Sequence, residues 1–352
     1  MLDTRIRDLW LKTLENEDYE LYLHSPFCVK ECKYCVYTGK LVTDKDYKDV
    51  YRTYIDQYLP EAINNYRDIL SIKPANNLYF GGGTPNLFKP EDIGKTLKLI
   101  PNYDSIKNKL ADIHPTYLND KTLYKFIDLG FTTLCFGVQS FDLETLSKNN
   151  RDPVKLDRLK EIIKICRDNN VYTSIDLMCY LNHYDINDLR ILKSDLDIAI
   201  ELGLDFIAIN PNLHFILHEE MFSRAFEDFM DQYTSYTDYI SEKELSGSTN
   251  LNERSIYRIV KKDVKDIYRE NILNYFADDF PLANNNIIGI GDLNNPHSTM
   301  SYIHKKLYYI ERNINNHPFY DIQYYNPEYK PLERRLTPIQ ALREKLNKYK
   351  KP

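Results

Sequence analysis

A chain of 352 residues is long enough for two ordinary domains, or for one large barrel with an appendage. Apolar residues make up 43% and charged residues 28%, which excludes a disordered or collagen-like chain and a disulfide-framed mini-protein. Lys and Arg number 46 against 52 Asp and Glu, a net charge of -6, so no basic field draws in a phosphate backbone and nucleic acid is not an expected partner.

The first stretch, MLDTRIRDLWLKTLENEDYE, interrupts each apolar run with charge before it could serve as a signal sequence. No later run approaches a membrane span, so a cytoplasmic protein without a membrane partner is expected, with a helical segment over residues 1–18. The 30 tyrosines are attributed to base composition rather than to function.

From residue 19 to 215, short apolar runs alternate with amphipathic helical patterns, as expected of βα units feeding a parallel sheet. Six runs stand out: Tyr19–Leu23, Asn77–Phe80, Lys109–Ile113, Thr132–Val138, Val171–Leu177 and Leu204–Ile209. Between them, Thr43 with Asp46 marks one helix start, and Asp152 with Pro153 opens a helix whose Leu156, Leu159, Ile163 and Cys166 share a face. Asp185 opens another that Gly203 closes, and Gly130 ends the helix carrying Leu123, Phe126 and Ile127. Six units are too few for a closed eight-stranded ring, so the expected fold class is α/β, a partial open (β/α)6 TIM-like barrel over residues 19–215. Residues 216–352 are expected to form a smaller C-terminal α+β region over the barrel mouth, with a polar loop at Ser241–Asn252 and an apolar run at Asn286–Gly291.

The six cysteines divide into a cluster and a scatter. Cys135, Cys166 and Cys179 lie in apolar segments and read as packing, whereas Cys28, Cys32 and Cys35 form C-x3-C-x2-C directly after the first strand. A loop at the C-terminal end of a barrel strand lies on the catalytic face, where three thiolates can hold three irons of a 4Fe-4S cube and leave the fourth open to an exogenous chelate. Two other readings stand beside this one: structural zinc with His24 as fourth ligand, and a ferredoxin-like carrier, which would normally supply a fourth cysteine. GGGTP, Gly81–Pro85, follows the second strand, and its glycines allow close backbone approach to a ligand. Asp112, Gln139, Arg151 and Asp176 fall at or just beyond successive strand ends, where barrel ligands bind.

The cysteines, the lead-in Tyr22, His24, Pro26 and Phe27, GGGTP, and GVQSFD at Gly137–Asp142 together resemble the radical SAM superfamily, specifically the oxygen-independent coproporphyrinogen III oxidase-like family. That resemblance implies a 4Fe-4S cluster on Cys28, Cys32 and Cys35. It also implies S-adenosylmethionine bound by Tyr22, Phe27, Gly81, Gly82, Gly83, Thr84, Asp112, Gln139, Arg151 and Asp176, with Tyr22 also catalytic, beside the sulfonium. In the family a Glu usually stands where this chain has Asp112. The implied reaction is reductive cleavage to a 5′-deoxyadenosyl radical for C–H functionalisation of a small molecule, fed by a reduced flavodoxin- or ferredoxin-type donor. Methylation or cyclopropanation would use a second adenosylmethionine. A tetrapyrrole enzyme, either a coproporphyrinogen III oxidase or an anaerobic haem-degrading methyltransferase, and a non-catalytic haem chaperone are the alternatives.

The chain departs from the family where Val36 and Tyr37 follow the last cysteine. It also reads DLMCYLN at Asp176–Asn182 where relatives read close to DLIYGLP, so the lost Gly and Pro should reshape that loop. IIGIGDLNNPHS, Ile287–Ser298, echoes a family glycine motif and equally reads as a buried strand and turn.

Overall fold

The computed structural model describes residues 4–35, 40–181, 188–211, 224–235, 237–246, 254–264, 286–291, 301–303 and 306–308. Its strands in chain order are β1 (Tyr19–Ser25), β2 (Phe27–Cys28), β3 (Lys40–Leu41), β4 (Asn77–Gly82), β5 (Asn108–Ile113), β6 (Thr133–Gln139), β7 (Tyr172–Cys179), β8 (Phe206–Pro211), β9 (Tyr239–Ser246), β10 (Arg254–Lys261), β11 (Asn286–Ile290), β12 (Ser301–Ile303) and β13 (Lys306–Tyr308). β1, β4, β5, β6, β7 and β8 lie side by side and parallel, the order that six successive βα units predict. Among the described residues the sheet runs from β13 to β9 without closing, so the architecture is an open, partial TIM-like barrel.

The C-terminal strands extend this same sheet. β11 pairs parallel to β1, in register from Tyr19 opposite Asn286 to Leu23 opposite Ile290, and supplies a seventh parallel strand. β12 and β13 continue antiparallel beyond it, while β10 and β9 continue antiparallel beyond β8. Ser241–Ser246, expected within a loop, belongs to β9. Backbone pairing along the whole of β10 outweighs the low strand propensity of its Ser, Glu and Lys residues. The cover expected over the barrel mouth falls largely on residues outside those described.

Strand alternation gives the sheet two unlike faces. Leu21, Leu23, Phe80, Ala111, Ile113, Leu134, Phe136, Ile175, Leu177, Ile207 and Ile209 are buried in the apolar layer beneath the helices. The intervening positions carry Tyr22, His24, Tyr79, Gly81, Asp112, Cys135, Ser174 and Asp176, the polar lining of the barrel.

Helix punctuation follows the sequence in part. Gly130 and Gly203 adopt φ values of 75° and 69° and end their helices as expected. The helix after β3 starts at Tyr47. Thr43 does not cap it, Asp46 makes no side-chain cap hydrogen bond, and Asp44 instead closes a turn by accepting from the Leu41 N–H at 3.1 Å. Asp152 does not cap the helix Leu156–Asp168 either, because its carboxylate is drawn to Lys30 and Tyr117. Leu156, at the start of that helix, is 39% exposed, while Leu159, Ile163 and Cys166 are buried. Asp185 lies outside the described residues.

Several tyrosines act as ties. A π-helical turn, Tyr54–Tyr58, interrupts the helix between Tyr47 and Asn65. From this stretch the Tyr54 hydroxyl donates to the His24 carbonyl at 2.6 Å, and that of Tyr58 to the Gly291 carbonyl. The ends of β1 and β11 are thereby held to one helix. At the other end of β11, Asn286 Nδ2 donates to the Asp18 carbonyl at 2.9 Å and to Glu17 Oε2 at 3.0 Å. Asn286→Ala removes both bonds and is expected to destabilise the fold by about 1–3 kcal/mol, read from the urea midpoint at unchanged slope.

Candidate functional site

The loop after β1 carries Cys28, Cys32 and Cys35, all as free thiols, with Cys32 buried and the other two half-buried. Cys28 sits on β2, whose pairing with β3 holds the loop base, and the Val42 N–H donates to the Cys28 carbonyl at 3.0 Å. GGGTP packs against this loop. The Gly83 N–H donates to the Ser25 carbonyl at 2.7 Å, and a Cβ on Gly83 would lie 2.4 Å from the Phe27 carbonyl and 2.8 Å from Cys28 Sγ. Gly82, at φ 98°, leaves room for the His24 imidazole, 2.3 Å from where its Cβ would be. Thr84 is buried just beyond. Phe27 is fully buried against the rings of Tyr47, Tyr51, Tyr54 and Phe88, so its backbone is what it can offer a ligand.

A row of polar groups crosses the lining face from β1 to β7. The Tyr22 hydroxyl lies 2.9 Å from His24 Nδ1, and its ring stands 5.4 Å from that of Tyr79. The Tyr79 hydroxyl donates to Asp112 Oδ2 at 2.6 Å. One ligand atom from each of Asp112, Cys135 and Asp176 lies within 4.8 Å of the others, the one such trio among the described residues. Three free thiols on one loop are the donor set of a 4Fe-4S cluster with one iron left open, and Gly83 lets the neighbouring backbone approach Cys28 where a Cβ would collide with its sulfur.

The GVQSFD turn adds the third side. Gln139 takes φ 72° at a bulge where β6 shifts register against β7. A Cβ on Gly137 would meet Gln139 Nε2 at 3.0 Å and Arg151 Nη2 at 3.1 Å. The Arg151 Nη2 donates to the Gly137 carbonyl, and Nη1 lies 3.9 Å from Cys32 Sγ. Burial opposes the charge of Arg151, but Tyr34 and then Cys32 outweigh it and raise its pKa. Tyr180, where the family resemblance implies a Gly, takes φ 63°, so at this residue the backbone is left-handed without a glycine.

The structure thus gathers Tyr22, Gly81, Gly82, Gly83, Thr84, Asp112, Gln139, Arg151 and Asp176 with the three cysteines at one end of the barrel, and sets the Phe27 ring behind them. Sequence reading missed four neighbours. Tyr79 and His114 were discoverable by alternation from Gly81 and Asp112, and Cys135, read as packing, contacts the lining as well as apolar Leu110 and Phe206. Burial and the Arg151 charge hold the pKa of His114 well below the usual histidine value, and its buried Nδ1 has no hydrogen-bond partner among the described residues. Asp195 carried no local signal. From the helix Arg190–Glu201 it accepts from Ser140 Oγ and the Phe141 N–H, both at 2.7 Å, and so fixes the GVQSFD turn.

Two outcomes are expected. Gly83→Ala drives a methyl into backbone and should cost about 1–3 kcal/mol and disrupt the cysteine loop, whereas Gly81→Ala meets only side chains at 3.0 Å and should be milder; thermal unfolding and iron content compare them. Burial raises the pKa of Asp195 to about 6. The folded chain therefore binds more protons than the unfolded chain between about pH 4 and 6, and stability falls as pH rises through that window, by at most about 3 kcal/mol. Asp195→Asn should flatten this slope in urea unfolding measured across the same range.

Comparison with known proteins places this chain in a family. The radical SAM superfamily model matches residues 22–212. A heme chaperone HemW of Buchnera aphidicola subsp. Schizaphis graminum is 26% identical over 207 residues, covering 55% of this chain and 52% of that protein. An oxygen-independent coproporphyrinogen III oxidase of Helicobacter pylori is 28% identical over 156 residues, 42% of this chain and 32% of that one. The chain thus spans about half or less of the length of these curated relatives. The solved coproporphyrinogen III oxidase HemN of Escherichia coli superposes with a TM-score of 0.66 at 15% identity, covering 89% of this chain and 71% of that structure, which establishes a shared fold. The chain belongs to the radical SAM superfamily, within its oxygen-independent coproporphyrinogen III oxidase-like family.

Proposed function

We propose that this protein is a radical SAM enzyme that holds a 4Fe-4S cluster on Cys28, Cys32 and Cys35 and functionalises a C–H bond of a small molecule. The observation that carries this reading is the convergence of the cysteine loop, the Gly81–Thr84 backbone and the polar lining of β1 to β7 on one end of the barrel. When bound, the cluster and S-adenosylmethionine supply an electron and a sulfonium, whose reductive cleavage gives methionine and a 5′-deoxyadenosyl radical.

The chain's own residues bind and orient. The Gly81–Thr84 backbone offers acceptors to the methionyl ammonium, with no Cβ at the glycines to block approach. Asp112 and Asp176 accept from that ammonium or from ribose hydroxyls, and Gln139 supplies both a donor and an acceptor. Asp112 is one carbon shorter than the usual Glu, and its hydrogen bond from Tyr79 fixes where it points. The Arg151 guanidinium, 3.9 Å from Cys32 Sγ, suits the methionyl carboxylate. Tyr22, held by His24, lines the route to the sulfonium. Reduction calls for a flavodoxin- or ferredoxin-type donor. One adenosylmethionine suffices for hydrogen abstraction, and a second is needed only for methylation or cyclopropanation.

A second reading, a haem chaperone, is favoured by the similarity to a protein that bears that name. One experiment separates the two. Anaerobic reconstitution should give about four iron and four sulfide per chain, and reductant with S-adenosylmethionine should then release 5′-deoxyadenosine or another cleavage product. Cys32→Ala should lose the cluster spectrum. Stoichiometric haem uptake without cleavage would replace the enzyme with the chaperone, and an iron-free protein would remove both the cluster and its chemistry.

A further inference from the structure

We infer that Arg151 is a positioning residue for the electronic surroundings of Cys32, donating an N–H to its sulfur and so raising the reduction potential of a cluster held there. This rests on the cluster reading above and goes beyond a role in gripping a ligand carboxylate.

The guanidinium is already committed to the protein at two points. Nη2 donates to the Gly137 carbonyl, and Nη1 faces Cys32 Sγ at 3.9 Å, within reach of a hydrogen bond to sulfur. These two bonds use two of the five guanidinium N–H donors, and the buried Nε has no hydrogen-bond partner among the described residues, so the contact with Cys32 can coexist with a grip on a ligand carboxylate. The absence of a Cβ at Gly137 is what admits the side chain to this position.

The backbone under Arg151 is equally fixed. Its N–H donates to the Leu146 carbonyl at 2.9 Å, closing the helix Leu143–Lys148, and Asn150 beside it takes φ 55°. The segment Asn149–Asp152 then grips the cysteine loop along its length. The Lys33 N–H donates to the Asn149 carbonyl at 3.1 Å, Asn150 Nδ2 to the Glu31 carbonyl at 2.9 Å, and Lys30 pairs with Asp152. Cys32 Sγ also faces the Asn150 carbonyl at 3.8 Å. Loop and guanidinium are thus brought together by many contacts rather than by one flexible side chain.

A cation donating to a ligating sulfur stabilises the cluster state of greater negative charge, which is the reduced one. The potential should therefore drop when the donor is removed. The test is an EPR-monitored redox titration of the anaerobically reconstituted full chain, without S-adenosylmethionine, with iron counted in each sample. The wild type should have the highest midpoint, Arg151→Gln the most negative, and Arg151→Lys an intermediate value because it keeps charge but loses the two-point fork. Asp152→Asn loosens the grip while leaving the N–H donor to Cys32 in place, and because it removes a negative charge it should not fall below the wild type.

An Arg151→Gln protein with a full cluster and the wild-type potential overturns the inference, as does an equal drop in Asp152→Asn, which would trace the effect to the loop. Should Arg151→Gln retain no cluster, Arg151→Lys decides, a wild-type potential there counting against the inference and a lower one for it. A wild-type chain that takes up no cluster refutes the underlying reading as well, and is distinguished from the other outcomes by its iron count.

Discussion

Side chains in a strand alternate between faces, and that constraint organises this molecule. Parallel strands side by side, each with an apolar set under helices and a polar set toward the barrel interior, assemble a chemical surface from residues scattered between Tyr22 and Asp176. Tyr22, Tyr79, Asp112, Cys135 and Asp176 come from five different strands, and each is on the lining because its neighbours at odd steps are Leu, Phe, Ile or Ala in the helix-facing core. A one-residue slip of any strand would exchange the two sets, bury carboxylates under helices and break the row.

The cysteine loop depends on a second, local condition, close approach without side chains. Gly82 and Gly83 pass beneath His24 and Cys28 at distances that a methyl group could not tolerate. Opposite them, Asn149–Asp152 closes over the loop with main-chain and ionic contacts. The loop is thus held between two segments far from it in sequence, which orders three thiols without a disulfide. Such ordering lowers the entropy lost when a cluster binds.

Buried tyrosines serve the same end. Tyr54 and Tyr58 fill the layer behind the cysteine loop while their hydroxyls satisfy carbonyls at the ends of β1 and β11. Phenylalanine would pack as well but would donate nothing to those carbonyls. The π-helical turn alters which residues of this helix share a face, and its span, Tyr54–Tyr58, begins and ends on the two tyrosines that tie. The abundance of tyrosine, set aside as compositional, therefore includes at least these structural uses.

Local pattern in the sequence determined the six barrel strands, the helix ends at Gly130 and Gly203, the cysteine spacing and the motifs GGGTP and GVQSFD, because periodicity, backbone freedom and ligand spacing are properties of neighbouring residues. The tertiary structure alone decided that Asn286–Ile290 returns beside β1, that Ser241–Ser246 is a strand, and that Asp152 leaves a helix end for Lys30. It alone brought Cys135 between two carboxylates, set the Phe27 ring behind the loop, and placed Asp195 under the GVQSFD turn. Each of these depends on a partner distant in the chain, and the free energy that fixes it, from a buried carboxylate finding donors or a strand edge finding a neighbour, exists only once that partner has been folded into place.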